Sequence, residues 1–229
     1  MPRLLLALCL IGSLSPHSHA ADWPHWRGPS RDDISTDSSG WKDGKWHLTE
    51  AWKANVGEGS TSPVVADGKL YTFGWKGNRD TLVCLDAATG KPIWSQSYPA
   101  PKYARNSTGD KGLYSGPSAS PEFDTETGLL YTMGIDGELR CWEAKTGKLS
   151  WRVNLYDKYK APMRPKIGRR GRRDYGYTSA PLVQGRQLIV EVGGPTGNLV
   201  SFDKSSGKEL WRSTAKDPAG HTGSPVPIT

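Results

Sequence analysis

One nine-residue phrase is written three times in this chain: Asp86-Ala87-Ala88-Thr89-Gly90-Lys91-Pro92-Ile93-Trp94, Glu143-Ala144-Lys145-Thr146-Gly147-Lys148-Leu149-Ser150-Trp151 and Asp203-Lys204-Ser205-Ser206-Gly207-Lys208-Glu209-Leu210-Trp211. Each copy has an acid, a Gly four residues later and a Trp four residues after that. Self-similarity recurring at a near-constant spacing is the mark of a repeat architecture. Each unit then buries its faces only against its neighbours.

The phrase has a mechanical reading. The acidic side chain can hold backbone N–H groups of the turn that follows, and Thr89, Thr146 and Ser206 can assist. Gly90, Gly147 and Gly207 are expected to adopt a backbone conformation that penalises a Cβ. Trp94, Trp151 and Trp211 then place a large ring with one N–H where units meet. On this reading Asp86, Gly90, Trp94, Glu143, Gly147, Trp151, Asp203, Gly207 and Trp211 are structural docking residues.

The residues before each phrase read as three short strands, and the phrase ends on a fourth. Asp67-Gly68 and Asp136-Gly137 between apolar runs are hairpin signals, because such turns need positive φ. Helical periodicity is lacking, so the chain reads as all-β. The units span about residues 59–98, 115–155 and 176–215, with partial strands expected at 48–54 and 222–228.

Together the three copies resemble the tryptophan-docking motif of quinoprotein-type, or PQQ-like, β-propellers, over roughly residues 47–229. The opening Asp22-Trp23-Pro24-His25-Trp26-Arg27-Gly28-Pro29 is similar to exported PQQ-like propellers, some called polyvinyl-alcohol-dehydrogenase-like. The resemblance implies an all-β propeller of four-stranded blades, typically eight to a ring. The family includes quinoprotein alcohol dehydrogenases and the propeller lipoprotein of the outer-membrane barrel assembly machine. Three full blades would make about half a ring. That suggests the N-terminal part of a longer protein, with further blades or self-association covering the open faces.

Residues 1–20 read as a secretory signal peptide, with Arg3, the apolar run Leu4–Leu14 and the small-x-small site Ser18-His19-Ala20. Its apolar core is short for a membrane span. Residues 21–46 then form an N-terminal extension. The expectation is an exported protein of the periplasm or cell envelope that is not transmembrane. Cys84 and Cys141 occupy equivalent positions in adjacent repeats, and are expected to be two buried thiols rather than a disulfide.

The formal net charge of +7 is concentrated. Residues 158–173 hold eight basic residues and no acid, so without Arg3 the rest of the exported chain carries −2. This run includes Lys166, Arg169, Arg170, Arg172 and Arg173, followed by Tyr175 and Tyr177, in a long link between repeats. Long loops of this kind are often functional. Basic and aromatic groups together could hold an anionic polymer, a lipid head group or an envelope protein. Export weighs against nucleic acid. A solvated loop with no ligand is the competing reading.

Catalytic signals are weak. A quinone enzyme implied by the resemblance would need PQQ with Ca²⁺, oxygen ligands and aromatic faces. The chain has no Cys-Cys pair and no ligand-spaced cluster among its scattered acids, which include Asp80, Glu122 and Asp136. His25, His47 and His221 lack metal spacing. No catalytic or metal residue is therefore assigned, and no cofactor is evident. The expected role is a non-catalytic binding or scaffolding module; the alternative is part of a PQQ-dependent alcohol dehydrogenase.

Overall fold

The computed structural model describes residues 21–101, 116–160, 176–195, 197–216 and 223–228. A small hairpin comes first, β1 (Trp41–Lys42) and β2 (Lys45–Trp46), turned by Asp43 and Gly44 at positive φ. Asp-Gly is the same signal that marks the larger hairpins. Three four-stranded antiparallel sheets follow in simple sequence order.

The first blade is β3 (Val64–Ala66), β4 (Lys69–Lys76), β5 (Arg79–Asp86) and β6 (Pro92–Pro99). The second is β7 (Glu122–Asp124), β8 (Leu129–Met133), β9 (Glu138–Glu143) and β10 (Lys148–Asn154). After β10 comes a short helix, α1 (Leu155–Tyr159). The third blade is β11 (Leu182–Gln184), β12 (Gln187–Glu191), β13 (Leu199–Asp203) and β14 (Glu209–Arg212).

Asp67-Gly68 makes the expected two-residue turn, with φ of 51° and 69°. Gly77-Asn78 makes another between β4 and β5, closed by the pair Lys76–Arg79. Asp136-Gly137 differs: it ends a four-residue loop from Gly134, and the Gly134 N–H reaches the Glu138 carbonyl at 3.0 Å.

The strands β3, β7 and β11 touch one another across blades and form the inner edge. The outer strands carry the tryptophans. Each outer strand has a register shift one residue before its Trp, which leaves Ile93, Ser150 and Leu210 without a cross-strand partner. A bulge re-aims the residue beside it. Here it falls at the same place in all three outer strands.

Two apolar clusters fill the spaces between blades. One joins Val64, Tyr71, Phe73, Leu82 and Cys84 to Phe123, Leu130 and Trp142 of the next blade. The other joins Tyr131, Leu139 and Cys141 to Leu188, Val190, Val200 and Phe202, with Leu155 and Tyr159 of α1. Both cysteines are buried and free, as the sequence implied.

Two expectations need correction, and one element was not foreseen. Residues 48–54 form no strand, although Trp52 docks on the first blade. Of the expected strand at 222–228, Thr222 lies outside the described residues and residues 223–228 form no strand. They still lie beside the third blade, where the Ala180 N–H donates to Ser224 Oγ at 2.8 Å. This repeats the bond from the Ser62 N–H to Ser120 Oγ at 3.0 Å. The helix α1 was not anticipated; Asn154 caps it by accepting from the Asp157 N–H. Five residues are too few to show helical periodicity.

Candidate functional site

The docking phrase works between blades. The Trp94 indole N–H donates to the Ala144 carbonyl at 3.0 Å, and its ring lies on Gly147 of the second blade. Trp151 makes the same contacts with Lys204 O, at 3.0 Å, and Gly207 of the third. Trp52 supplies them to Ala87 O, at 3.1 Å, and Gly90 of the first. All three glycines hold φ near 70°. A Cβ there would lie under 3 Å from the indole. Trp211 has no such neighbour among the described residues; its N–H donates to Gln187 Oε1 of its own blade at 2.5 Å.

The acids hold the turns as expected, with one variation. Asp86 Oδ1 accepts from the Thr89 N–H at 2.8 Å and from Thr89 Oγ1, and Asp203 does the same with Ser206. These bonds lower the pKa values of both carboxyls. Glu143, one methylene longer, reaches the Thr146 hydroxyl at 3.1 Å.

Sequence reasoning missed a cluster at the inner edge. Glu122 is fully buried at the position held by Val64 and Leu182 in the other blades. Its carboxylate receives both guanidinium nitrogens of Arg31, the closer pair being Arg31 Nη2 and Glu122 Oε1. His25 Nδ1 lies 3.3 Å from Oε2, and the Val183 N–H donates to Oε1 at 3.0 Å. An isolated carboxylate here would carry a heavy desolvation cost; Arg31 and the amide remove it.

The same N-terminal segment completes the edge. Trp23 and Val65 exchange two backbone bonds, at 2.8 and 3.0 Å, and the Phe123 N–H donates to the Pro24 carbonyl at 3.0 Å. Val65, Phe123 and Val183 are equivalent positions. Their amides are met by Trp23 O, Pro24 O and Glu122 Oε1 in turn.

Two further charged groups join blades. Lys204 Nζ contacts Asp124 Oδ2 at 2.8 Å and Glu126 Oε2 at 2.5 Å. Asp80 is buried between the first and second blades, against Gly134 and beside the Tyr98 hydroxyl. Arg140 lies over the Tyr98 ring at 3.7 Å and pairs with Glu138 at 3.0 Å. Burial pushes the Asp80 carboxyl up to about 7. Asp136 and Glu138 add to that rise, while Tyr98 and Arg140 oppose it. A cavity beside it, lined by Trp75, Asp80, Gly116, Ile135 and Asp136, holds about 10 Å³. That is room for one water.

Lys166, Arg169, Arg170, Arg172, Arg173 and Tyr175 lie outside the described residues. Tyr177, grouped with them on the sequence, is a core residue. It is buried, its hydroxyl donates to the Val192 carbonyl at 2.8 Å, and its ring packs on Tyr156 at 4.8 Å.

A flat quinone with Ca²⁺ does not fit the described residues. No group of three or more His, Cys, Asp or Glu among them is placed to hold a metal ion. The buried carboxylates Glu122 and Asp124 are already neutralised, by Arg31 and Lys204. The cavity at Asp80 is far below ligand size.

Comparison with known proteins agrees with the fold. The profile described as "Glucose/ethanol/alcohol dehydrogenase, beta-propeller domain" of the PQQ family matches residues 39–226. The dehydrogenase subunit of the quinone alcohol dehydrogenase of Gluconobacter oxydans (strain 621H) is 31% identical over 214 residues, covering 88% of this chain and 26% of that protein. Outer membrane protein assembly factor BamB of Burkholderia pseudomallei (strain K96243) is 24% identical over 201 residues, covering 76% of this chain and 48% of that one. Among solved structures, the quinohemoprotein alcohol dehydrogenase of Comamonas testosteroni superimposes with a TM-score of 0.53 at 25% identity, covering 85% of this chain and 28% of that one. The chain thus spans about a quarter of the length of these dehydrogenase relatives. With two Trp–turn joints between four-stranded blades, a third from Trp52 onto the first blade, and a family match across nearly the whole described region, the chain belongs to the PQQ family described as the β-propeller domain of glucose, ethanol and alcohol dehydrogenases.

Proposed function

We propose that this chain is an exported binding or scaffolding module of the periplasm or cell envelope, and that it performs no redox chemistry within these residues. One observation carries the reading: the buried carboxylates Glu122 and Asp124 are spent on holding the N-terminal segment to the second blade and the second blade to the third. Glu122 holds Arg31 and Asp124 holds Lys204. Such pairs help set the geometry of the arc, and among the described residues no group of three or more His, Cys, Asp or Glu is placed to hold a cation. Binding would then fall to the surface, with the basic run at 158–173 as the site for an anionic polymer, lipid head group or acidic envelope protein.

The test has two arms. The full chain is mixed with PQQ and Ca²⁺, and quinone absorbance and ethanol-dependent dye reduction are followed. The scaffold reading expects neither to change, and turnover would overturn it. In the second arm Arg169, Arg170, Arg172 and Arg173 are all changed to Ser. Salt-sensitive retention on an anionic matrix should fall; equal retention would remove the basic run from the proposal.

The similarity to quinone alcohol dehydrogenases supports a second reading, in which these blades are part of a PQQ-dependent enzyme whose cofactor site is built largely by other blades. Turnover by a longer chain containing these residues, lost on deleting them, would favour it.

A further inference from the structure

We propose that the inner edge of the three blades is an acceptor groove for a compact, turn-rich, arginine-bearing segment, and that residues 22–33 of a second copy can replace the resident ones. The groove has three fixed elements. The Val65 amide and carbonyl pair with Trp23, the Phe123 amide takes the Pro24 carbonyl, and the buried Glu122 takes Arg31. The segment thus meets two blades, by one antiparallel bridge at Val65 and one bond at Phe123, and a turn then brings in the charged anchor. Glu122 gives the groove its selectivity, because the equivalent residues Val64 and Leu182 could hold no arginine.

The resident segment is built to be carried as a unit. Trp23 packs against Gly28, where a Cβ would lie 2.7 Å from the ring, and Arg27 pairs with Asp33 at 2.6 Å. From Asp32 to Ala51 every residue is exposed, so this connector lacks a buried hold on the blades. A segment seated by its own contacts, on a long exposed connector, can make identical bonds in another copy. Exchange of identical elements is a low-cost route to association. Tethering gives the resident copy an effective concentration in the millimolar range, so exchange shows itself when the resident anchor is weakened.

The probe is a fluorescent peptide of residues 21–34 added to the full chain. Arg31→Ala in the chain loosens the resident segment and should tighten peptide binding about tenfold or more, because a bond to a charged group is lost on the resident side only. Arg31→Ala in the peptide should weaken binding by a similar factor, and Glu122→Gln in the chain should remove the dependence on Arg31. Circular dichroism checks that each variant folds. Should the Arg31→Ala chain fail that check, the wild-type chain titrated with the two peptides decides. Absence of saturable binding, or binding indifferent to Arg31 of the peptide, overturns the groove. Tagged wild-type chain should also co-purify with untagged Arg31→Ala chain. Peptide binding without co-purification overturns the second copy as occupant and assigns the groove to a foreign segment.

Discussion

The Trp94 indole stands on Gly147, a residue of the next blade, and donates its N–H to the Ala144 carbonyl three residues before that glycine. Ring and turn fix each other. The indole covers a glycine that cannot carry a side chain, and the turn carbonyl meets the one polar atom of the ring. Four predictions follow from this joint and its neighbours.

Truncating the ring should separate packing from hydrogen bonding. Trp94→Ala is expected to cost about 3–5 kcal/mol, in line with loss of a large packed ring. Trp94→Phe keeps most of the packing but strands the Ala144 carbonyl, for about 1–2 kcal/mol. Urea denaturation of the two variants measures the difference. Equal losses would mean that the N–H bond contributes nothing.

Two glycines with the same backbone separate the turn from the joint. Gly147 has φ +72° with the indole 2.7 Å from an added Cβ, while Gly128 has φ +68° with open space around it. Gly128→Ala should cost about 1 kcal/mol, the penalty for a left-handed alanine. Gly147→Ala should cost at least about 2 kcal/mol more, because the ring must move as well. Thermal melts of both variants are the check.

Stability should fall between pH 4 and 7 because of Asp80. Its folded pKa is raised to about 7 from an ordinary 3.8, so the folded chain binds this proton more tightly than the unfolded chain. That contribution is complete below the unfolded value and is lost as pH rises through the folded one. Asp80→Asn should therefore stabilise the protein above pH 7, by up to about 4 kcal/mol at 1.36 kcal/mol per pKa unit. The gain should vanish near pH 4. Denaturation series at both pH values give the answer, and a gain independent of pH would exclude titration of Asp80 as the cause.

Both thiols should be silent until the chain opens. Burial pushes the Cys84 and Cys141 thiols up to about 11 and about 12. A neutral thiol without access is a poor nucleophile. A thiol-reactive dye at pH 8 should label neither in buffer and both in denaturant. Labelling in buffer would place a cysteine at the surface.

The sheets and joints were legible because their signals are local. Asp-Gly marks a turn wherever it falls, and the phrase from Asp86 to Trp94 shows its period on inspection. The direction of the joint was not legible, since nothing in one copy says whether its Trp serves its own glycine or the next. The bulges at Ile93, Ser150 and Leu210 were hidden for a related reason: an added residue breaks the alternation on which strand reading depends. Glu122 is the instructive miss. Setting Ser120-Pro121-Glu122 beneath Ser62-Pro63-Val64 and Ala180-Pro181-Leu182 puts a charge in an apolar column. Its partners, His25 and Arg31, lie some ninety residues away, beyond any local pattern.

Because each joint draws its tryptophan from one unit and its glycine from the following one, the gene can gain or lose blades without altering the Trp–Gly seams. Excising one whole period brings a tryptophan before the cut against an equivalent glycine after it, and every remaining ring still has its seat, although single contacts such as Asp124–Lys204 would be lost with the blade that carries them. A cut of any other length would leave one ring without a seat. Lineages of this architecture should therefore differ in blade number by whole steps, with the seams as the quantum of change.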